Sequence, residues 1–198
     1  MSSPNALLCL EASAPNGGTW AAWEYGTIVA SGEFSGRASA GLASSLASAL
    51  PAITPPAEIR VGVGPGSFSG IRAALALAQG LALSWEARVV PIRSTHSIGL
   101  QFPEVTFLGV FSDARRGELF VTCYQRGRLA RPSQVIRRED IDVWLSKCTK
   151  SVCTDGFDPS LPWVRPRALD LGRPLEAYGE TEQLSLEPIH LRPALAQT

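Results

Sequence analysis

Few side chains in this sequence are placed to do chemistry, and the richest run of them is Val61–Arg72, VGVGPGSFSGIR. Gly64, Gly66 and Gly70 surround Ser67 and Ser69 there. Glycines ahead of a helix let another group come close to the backbone, serine hydroxyls cap the first free N–H groups, and the helix N-terminus favours an anion or carboxylate. A structural tight turn would use the same residues. The run is not a P-loop, since no Gly-Lys-Ser/Thr follows, and Gly64-x-Gly66-x-x-Ser69 is an incomplete dinucleotide fingerprint. His96 and His190 are far apart and neither belongs to an H-x-x-x-H or H-E-x-x-H helix, and no G-x-S-x-G elbow occurs. Cys9, Cys123, Cys148 and Cys153 form no C-x-x-C pair and read as reduced, mostly buried thiols rather than a zinc site.

The elements around the glycine run follow from periodicity. Ile59–Val63 reads as a buried strand, and behind the loop Ile71, Ala74, Leu75, Ala78 and Leu81 or Ala82 recur at helical spacing. That helix is apolar nearly all round, so it is covered on more than one side, by its own fold or by a partner. Before it come strands at Ala6–Ala12, Thr19–Glu24 and Thr27–Glu33 and a helix at Ser39–Leu50. In this helix Leu42, Leu46 and Leu50 fall four apart among small residues, which suits tight helix packing inside the fold or across an interface. Val89–Ile92 is a short strand, and Ser94–Leu100 a helical turn linking two lobes. Strands at 105–112, Glu118–Tyr124 and Ser151–Thr154 follow, with helices at Glu139–Lys147 and Ala168–Tyr178. The Asp113-Ala114-Arg115-Arg116-Gly117-Glu118 turn binds an anion, forms a cross-lobe ion pair, or is a charged hairpin turn whose Gly117 supplies a positive φ.

The run VGVGPGSFSGIRAALALAQGLA resembles the signature of the TsaB (YeaZ) family, the non-catalytic sibling of the TsaD threonylcarbamoyl transferases. Asp113–Glu118 and Pro188-Ile189-His190-Leu191-Arg192 fit the same family in the same order. The resemblance implies an α/β, two-lobed actin/Hsp70-like (ASKHA) fold with a reduced second lobe. Residues 1–97 would form the first lobe, and 98–198 a smaller second lobe with its tail packed back. It implies a scaffold subunit of the complex that makes N6-threonylcarbamoyladenosine in tRNA, without activity alone. Its partner is a TsaD-like transferase, joined in the complex by a TsaE-like ATPase, with tRNA contacted only indirectly and a homodimer forming when the partner is missing. Leu42, Leu46, Leu50, Gly70, Arg72, Ala74, Leu75 and Ala78 are the implied partner interface, and a bulky or charged residue at Gly70 or Ala74 should break it while sparing the fold. Ser67, Ser69, Asp113 and Arg115 are candidate cleft or anion contacts. No cofactor or metal is assigned to this chain, and the sibling's paired metal histidines are missing; ATP and magnesium belong to the complex.

The family's first strand ends in Asp-Thr-Ser where this chain has Glu11-Ala12-Ser13. Glu11 is expected to be a solvated strand-end carboxylate. The rival reading, an autonomous ATPase or small-molecule kinase of the same fold, needs Glu11 and Asp113 around a magnesium nucleotide; a third is a homodimeric module with an unrelated partner. Composition narrows the choice. The 198 residues are 45% hydrophobic, enough for a packed core, and carry no net charge. That balance argues against autonomous binding to a nucleic-acid backbone. No run of eighteen apolar residues and no basic, apolar leader is present, so the chain is expected to be cytoplasmic with no membrane partner.

Overall fold

The apolar run Ala6–Leu10 has successive residues buried on opposite faces of one strand, Leu8 and Leu10 in one core cluster and Cys9 in another. Such a run belongs at the centre of a sheet covered on both sides. The computed structural model describes residues 3–180 and 183–189. β1 (Ser3–Glu11) is that central strand, flanked by antiparallel β2 (Gly17–Glu24) and β3 (Thr27–Ser35) on one side, and by parallel β4 (Pro56–Gly62) and β5 (Arg88–Ile92) on the other. The strand order is β3-β2-β1-β4-β5. Two helices, α1 (Ala38–Ala47) and α2 (Phe68–Trp85), cover one face and pack on each other. The connection from β5 carries one short helical turn, α3 (His96–Gly99), into the second sheet.

That sheet repeats the pattern. β6 (Leu108–Arg115) pairs antiparallel with β7 (Glu118–Gln125), β7 with β8 (Arg128–Arg137), and β6 lies parallel to β9 (Lys150–Cys153). The order β8-β7-β6-β9 matches β3-β2-β1-β4, and where β5 would lie the described residues show a single parallel bridge, Cys153 to Trp163, instead of a strand. One face is covered by α3 and its neighbours through Ile98, and the other by α4 (Ile141–Leu145) through Trp144 and Leu145. From there the chain returns to the first sheet. α5 (Ala168–Leu171) and Tyr178 pack on Cys9, Ala21 and Ile92, on the face opposite α1 and α2. The Arg60 guanidinium anchors this return by donating to Leu171 O at 2.9 Å.

Several expected boundaries shift. The helix expected over Ser39–Leu50 ends at Ala47, and Leu50–Ala52 is a separate 3₁₀ turn set by Pro51. Instead of one helix over Ala168–Tyr178 there are α5 and a 3₁₀ turn at Leu175–Tyr178, parted by Gly172 and Pro174. β8 has no counterpart in the sequence reading. It is an edge strand that contains Pro132 and meets β7 through two register shifts, so its alternation is broken. No described helix is long and apolar enough to cross a membrane.

Candidate functional site

The glycine run connects β4 to α2, as its sequence requires. Ser67 caps α2, its Oγ accepting from the Gly70 N–H at 3.4 Å. The group that the glycines let in is the chain's own first hairpin. Ser67 N donates to Ser13 O at 2.7 Å, and a Cβ at Gly70 would collide with Ala12 O. The loop is fastened by three more bonds from two further segments: Gly64 N donates to Ser94 Oγ at 3.0 Å, Ser94 N to Gly64 O at 2.9 Å, and Ile189 N to Val63 O at 2.8 Å. These bonds make it a junction between β1, β4, β5 and the C-terminal segment. Of that segment's expected motif, Pro188 and Ile189 lie against the loop, and His190–Arg192 fall outside the described residues.

Glu11 departs most from expectation. It is wholly buried, not solvated. Oε1 accepts from Ser13 N at 2.6 Å, and Oε2 converges with Ser94 Oγ on the space over Gly62, where any Cβ would strike the carboxylate. Burial pushes its pKa up, against weaker opposing hydrogen bonds from Ser13 and Ser94, so the charged form is disfavoured there relative to a carboxylate in water. The strand end turns inward because Gly62 leaves room for it there.

A cleft of about 640 Å³ opens between the two sheets, and Ser67, Ser69, Asp113 and Arg115, named from the sequence as cleft contacts, all line it. Asp155, at the end of β9, also lines it and was missed; a strand-end Thr154-Asp155-Gly156 is its only signal. Asp155 Oδ2 accepts from Asp113 N at 2.7 Å. Asp113 is engaged within its own sheet rather than across the cleft. Its Oδ1 accepts from Arg115 N at 2.9 Å, its Oδ2 lies 3.2 Å from Arg115 Nη1, and Arg138 Nη2 is 3.8 Å from Oδ1. Arg115 and Arg116 both have positive φ, 68° and 56°, which forms the tight hairpin turn. A magnesium nucleotide does not fit these residues: the carboxyl that would hold the metal from the first strand is wholly buried under Gly62 and Ser94, and the second is paired with two arginines. Among the described residues no group of three His, Cys, Asp or Glu is placed to hold a metal ion.

The implied interface residues divide. Leu42, Leu46, Gly70, Ala74, Leu75 and Ala78 are buried inside the chain, in or beside the core shared by α1, α2 and the sheet, so they cannot meet a partner while the lobe is folded. Leu50 is half-buried against the same core. Substituting Gly70 or Ala74 with a large residue therefore breaks the fold and does not isolate an interface. Only Arg72 is exposed, its guanidinium 5.4 Å from the centre of the Phe68 ring. The correction has a simple cause, since apolar spacing finds the face that packs inward. The outward faces are Ala40, Ala43, Ser44 and Ala47 on α1, and Arg72, Ala76, Gln79, Gly80 and Leu83 on α2.

A buried polar cluster at the hinge between the sheets was not foreseen. Arg93, 1% exposed, donates from Nε to Glu180 Oε2 at 2.7 Å and from Nη1 to Ser133 Oγ at 3.0 Å. His96 Nδ1 lies 3.0 Å from Tyr124 Oη, its Nε2 3.3 Å from Glu180 Oε2, and its ring stacks on Tyr178. Burial lowers the His96 pKa although Glu180 opposes this; Glu180, despite its partial burial, is brought down to about 2 by the His96 ring and the Arg93 guanidinium beside it. These contacts join β5, β7, β8 and the returning chain.

Residues 29–135, more than half of the chain, match the profile of the TsaD family, tRNA N6-adenosine threonylcarbamoyltransferase. No curated protein matches the sequence. Among solved structures, YeaZ from Pseudomonas aeruginosa superposes with a TM-score of 0.63 at 22% identity, covering 86% of this chain and 89% of that one. A second structure, an uncharacterized protein with similarity to peptidase YEAZ from Pseudomonas aeruginosa, gives 0.69 at 22% identity over 97% of this chain and 100% of its own. These likenesses bear out the α/β, two-lobed actin/Hsp70-like fold and the YeaZ-like architecture expected from the glycine run.

Proposed function

Because the chain belongs to the TsaD family, tRNA N6-adenosine threonylcarbamoyltransferase, we propose that it is a non-catalytic subunit of the tRNA N6-threonylcarbamoyladenosine synthesis complex, holding a TsaD-like transferase on the outer face of α1 and α2. The family is one of tRNA modification; the scaffold role within it is our reading. The observation that carries it is that outer face. It is exposed, yet α1 presents only alanine and serine on it, and α2 adds Ala76, Gly80 and a Leu83 that is 86% exposed. Small side chains let a second helix pair come close, and removing Leu83 from water adds apolar burial. Left without the transferase, the same face pairs two copies of the chain.

The buried Glu11 supports a silent cleft and weighs against the alternative of an autonomous ATPase or kinase. Zero net charge supports indirect contact with tRNA, held by the transferase, and a TsaE-like ATPase supplies the nucleotide chemistry. The test is size-exclusion chromatography with light scattering on the chain, alone and mixed with the TsaD-like protein of the same genome. A one-to-one heterodimer that displaces any homodimer is the expected result. Separate elution, with ATP and the TsaE-like protein also present, overturns the assignment, and magnesium-dependent ATP turnover lost in Asp113→Ala would establish the kinase reading instead.

A further inference from the structure

On the α4 side of the second sheet, far from the cleft and from α1 and α2, the fold brings two thiols together. Cys123 in β7 is the register partner of Gly109 in β6, so the two positions share one face of the sheet. Trp144 and Leu145 of α4 cover that face. The chain leaves α4 through Cys148, whose N–H donates to Leu145 O at 3.1 Å. A Cβ on Gly109 would lie 2.7 Å from Cys148 Sγ. The Cys148 sulfur thus fills the space that any other residue at 109 would take, on the sheet face and at the register position of Cys123. Their exposures differ in a useful way, since Cys123 is fully buried and Cys148 is partly open to solvent.

We propose that Cys148 and Cys123 form a thiol oxidation site, at which a low-molecular-weight disulfide of the glutathione class modifies Cys148 and Cys123 resolves the adduct to an intrachain disulfide. The Cys148 thiolate attacks one sulfur of the small disulfide; a new S–S bond forms, the old one breaks, and one thiolate leaves and takes up a proton. Cys123 then loses its proton to solvent and attacks Cys148 Sγ, expelling the second small thiolate. Overall two protein thiols are oxidised and one small disulfide is reduced to two small thiols. Accessibility makes Cys148 the attacking group, and its surroundings agree: the Cys123 thiol beside it, partly opposed by burial and helped by Ser151 and Lys147, lowers its pKa to about 7. The Cys148 sulfur beside it, with burial, raises the Cys123 pKa, so Cys123 keeps its proton until Cys148 has been capped. Once Cys148 is a mixed disulfide the negative charge of its thiolate is gone, and Cys123 is freed to attack. Cys9 is a contrast, wholly buried with its thiol pushed up to about 12, chiefly by that burial.

The experiment is peptide mapping by mass spectrometry without reduction, on the full chain incubated with oxidised glutathione. The expected product is a Cys123–Cys148 linked peptide pair, reversed by dithiothreitol, with Cys9 unmodified. Cys123→Ser should instead trap glutathione on Cys148, and Cys148→Ser should give neither product. A wild-type chain that carries glutathione on Cys148 without the link, or leaves both thiols free, overturns the proposal. Cys148→Ser changes a partly exposed position and carries the test should Cys123→Ser fail to fold. No step requires the transferase or tRNA, so the outcome is independent of the partner assignment.

Discussion

Ala76→Arg and Leu46→Ala, made separately, distinguish the outer face of the helix pair from its inner face. Leu46 is 1% exposed in the core between α1, α2 and the sheet. Truncating it to alanine removes three buried carbons and leaves a cavity, a change that costs about 2–5 kcal/mol in comparable cores. In a chain of this length each kcal/mol lowers Tm by about 2–4 °C, so Leu46→Ala should melt visibly earlier. Ala76 is exposed on the opposite side of α2. Arginine there keeps good helix propensity and should change stability by no more than about 0.5 kcal/mol. At the interface its effect is large, because a long cation replaces a methyl group where helices approach and loses its water without a counter-ion. Breaking complementarity this way costs about 3 kcal/mol or more, a loss of affinity of at least about 100-fold. Urea denaturation followed by circular dichroism reads the first quantity, and co-elution with the TsaD-like protein over a concentration series reads the second. Leu46→Ala, held folded at low temperature, should still bind. If Ala76→Arg binds as the wild type does while folded Leu46→Ala loses the partner, the contact involves the inner face and the reasoning here is refuted.

Two further predictions concern the buried Glu11 and the partly buried Glu180. Glu11 has a raised pKa in the folded chain, so it favours folding fully only below the ordinary carboxylate range, and that stability is lost as the pH rises through its folded value. Glu11→Gln, which retains an acceptor for Ser13 N, should raise the urea midpoint at pH 7 and leave the two proteins closer near pH 4; a lower midpoint at pH 7 would show that the carboxylate is ionised and paired. Glu180 has the opposite sign: its pKa is lowered to about 2, so its contribution is complete above the unfolded value and fades as the pH falls toward about 2. Glu180→Gln, which weakens the hold on the buried Arg93, should destabilise by about 3 kcal/mol at pH 7. The deficit should shrink in urea titrations at pH 4 and 3, and a pH-independent deficit would mean that packing, not charge, is what was lost.

By itself the sequence determined the strand, glycine loop and helix at its centre, since a β-branched run, a Gly-Pro-Gly turn and helical spacing each follow from local chemistry. Three of the motifs it carries also pointed to the right family, and all four cleft residues read from them do meet in one cleft. What only the tertiary structure decided is which way each side chain faces. An apolar helix face marks burial without naming what buries it, so Leu42, Leu46, Ala74 and Ala78 looked like an interface and are core. A carboxylate at a strand end reads as solvated until the opposite strand supplies a glycine, and Gly62 lets Glu11 turn inward. Pro132 and two register shifts hid β8 from its alternation. Cys123 and Cys148 have no sequence motif because their meeting is made by a third residue, Gly109, across a ladder that forms only when the sheet does. Local preference is written in neighbouring residues, whereas proximity between distant ones exists only after the sheets and helices have packed.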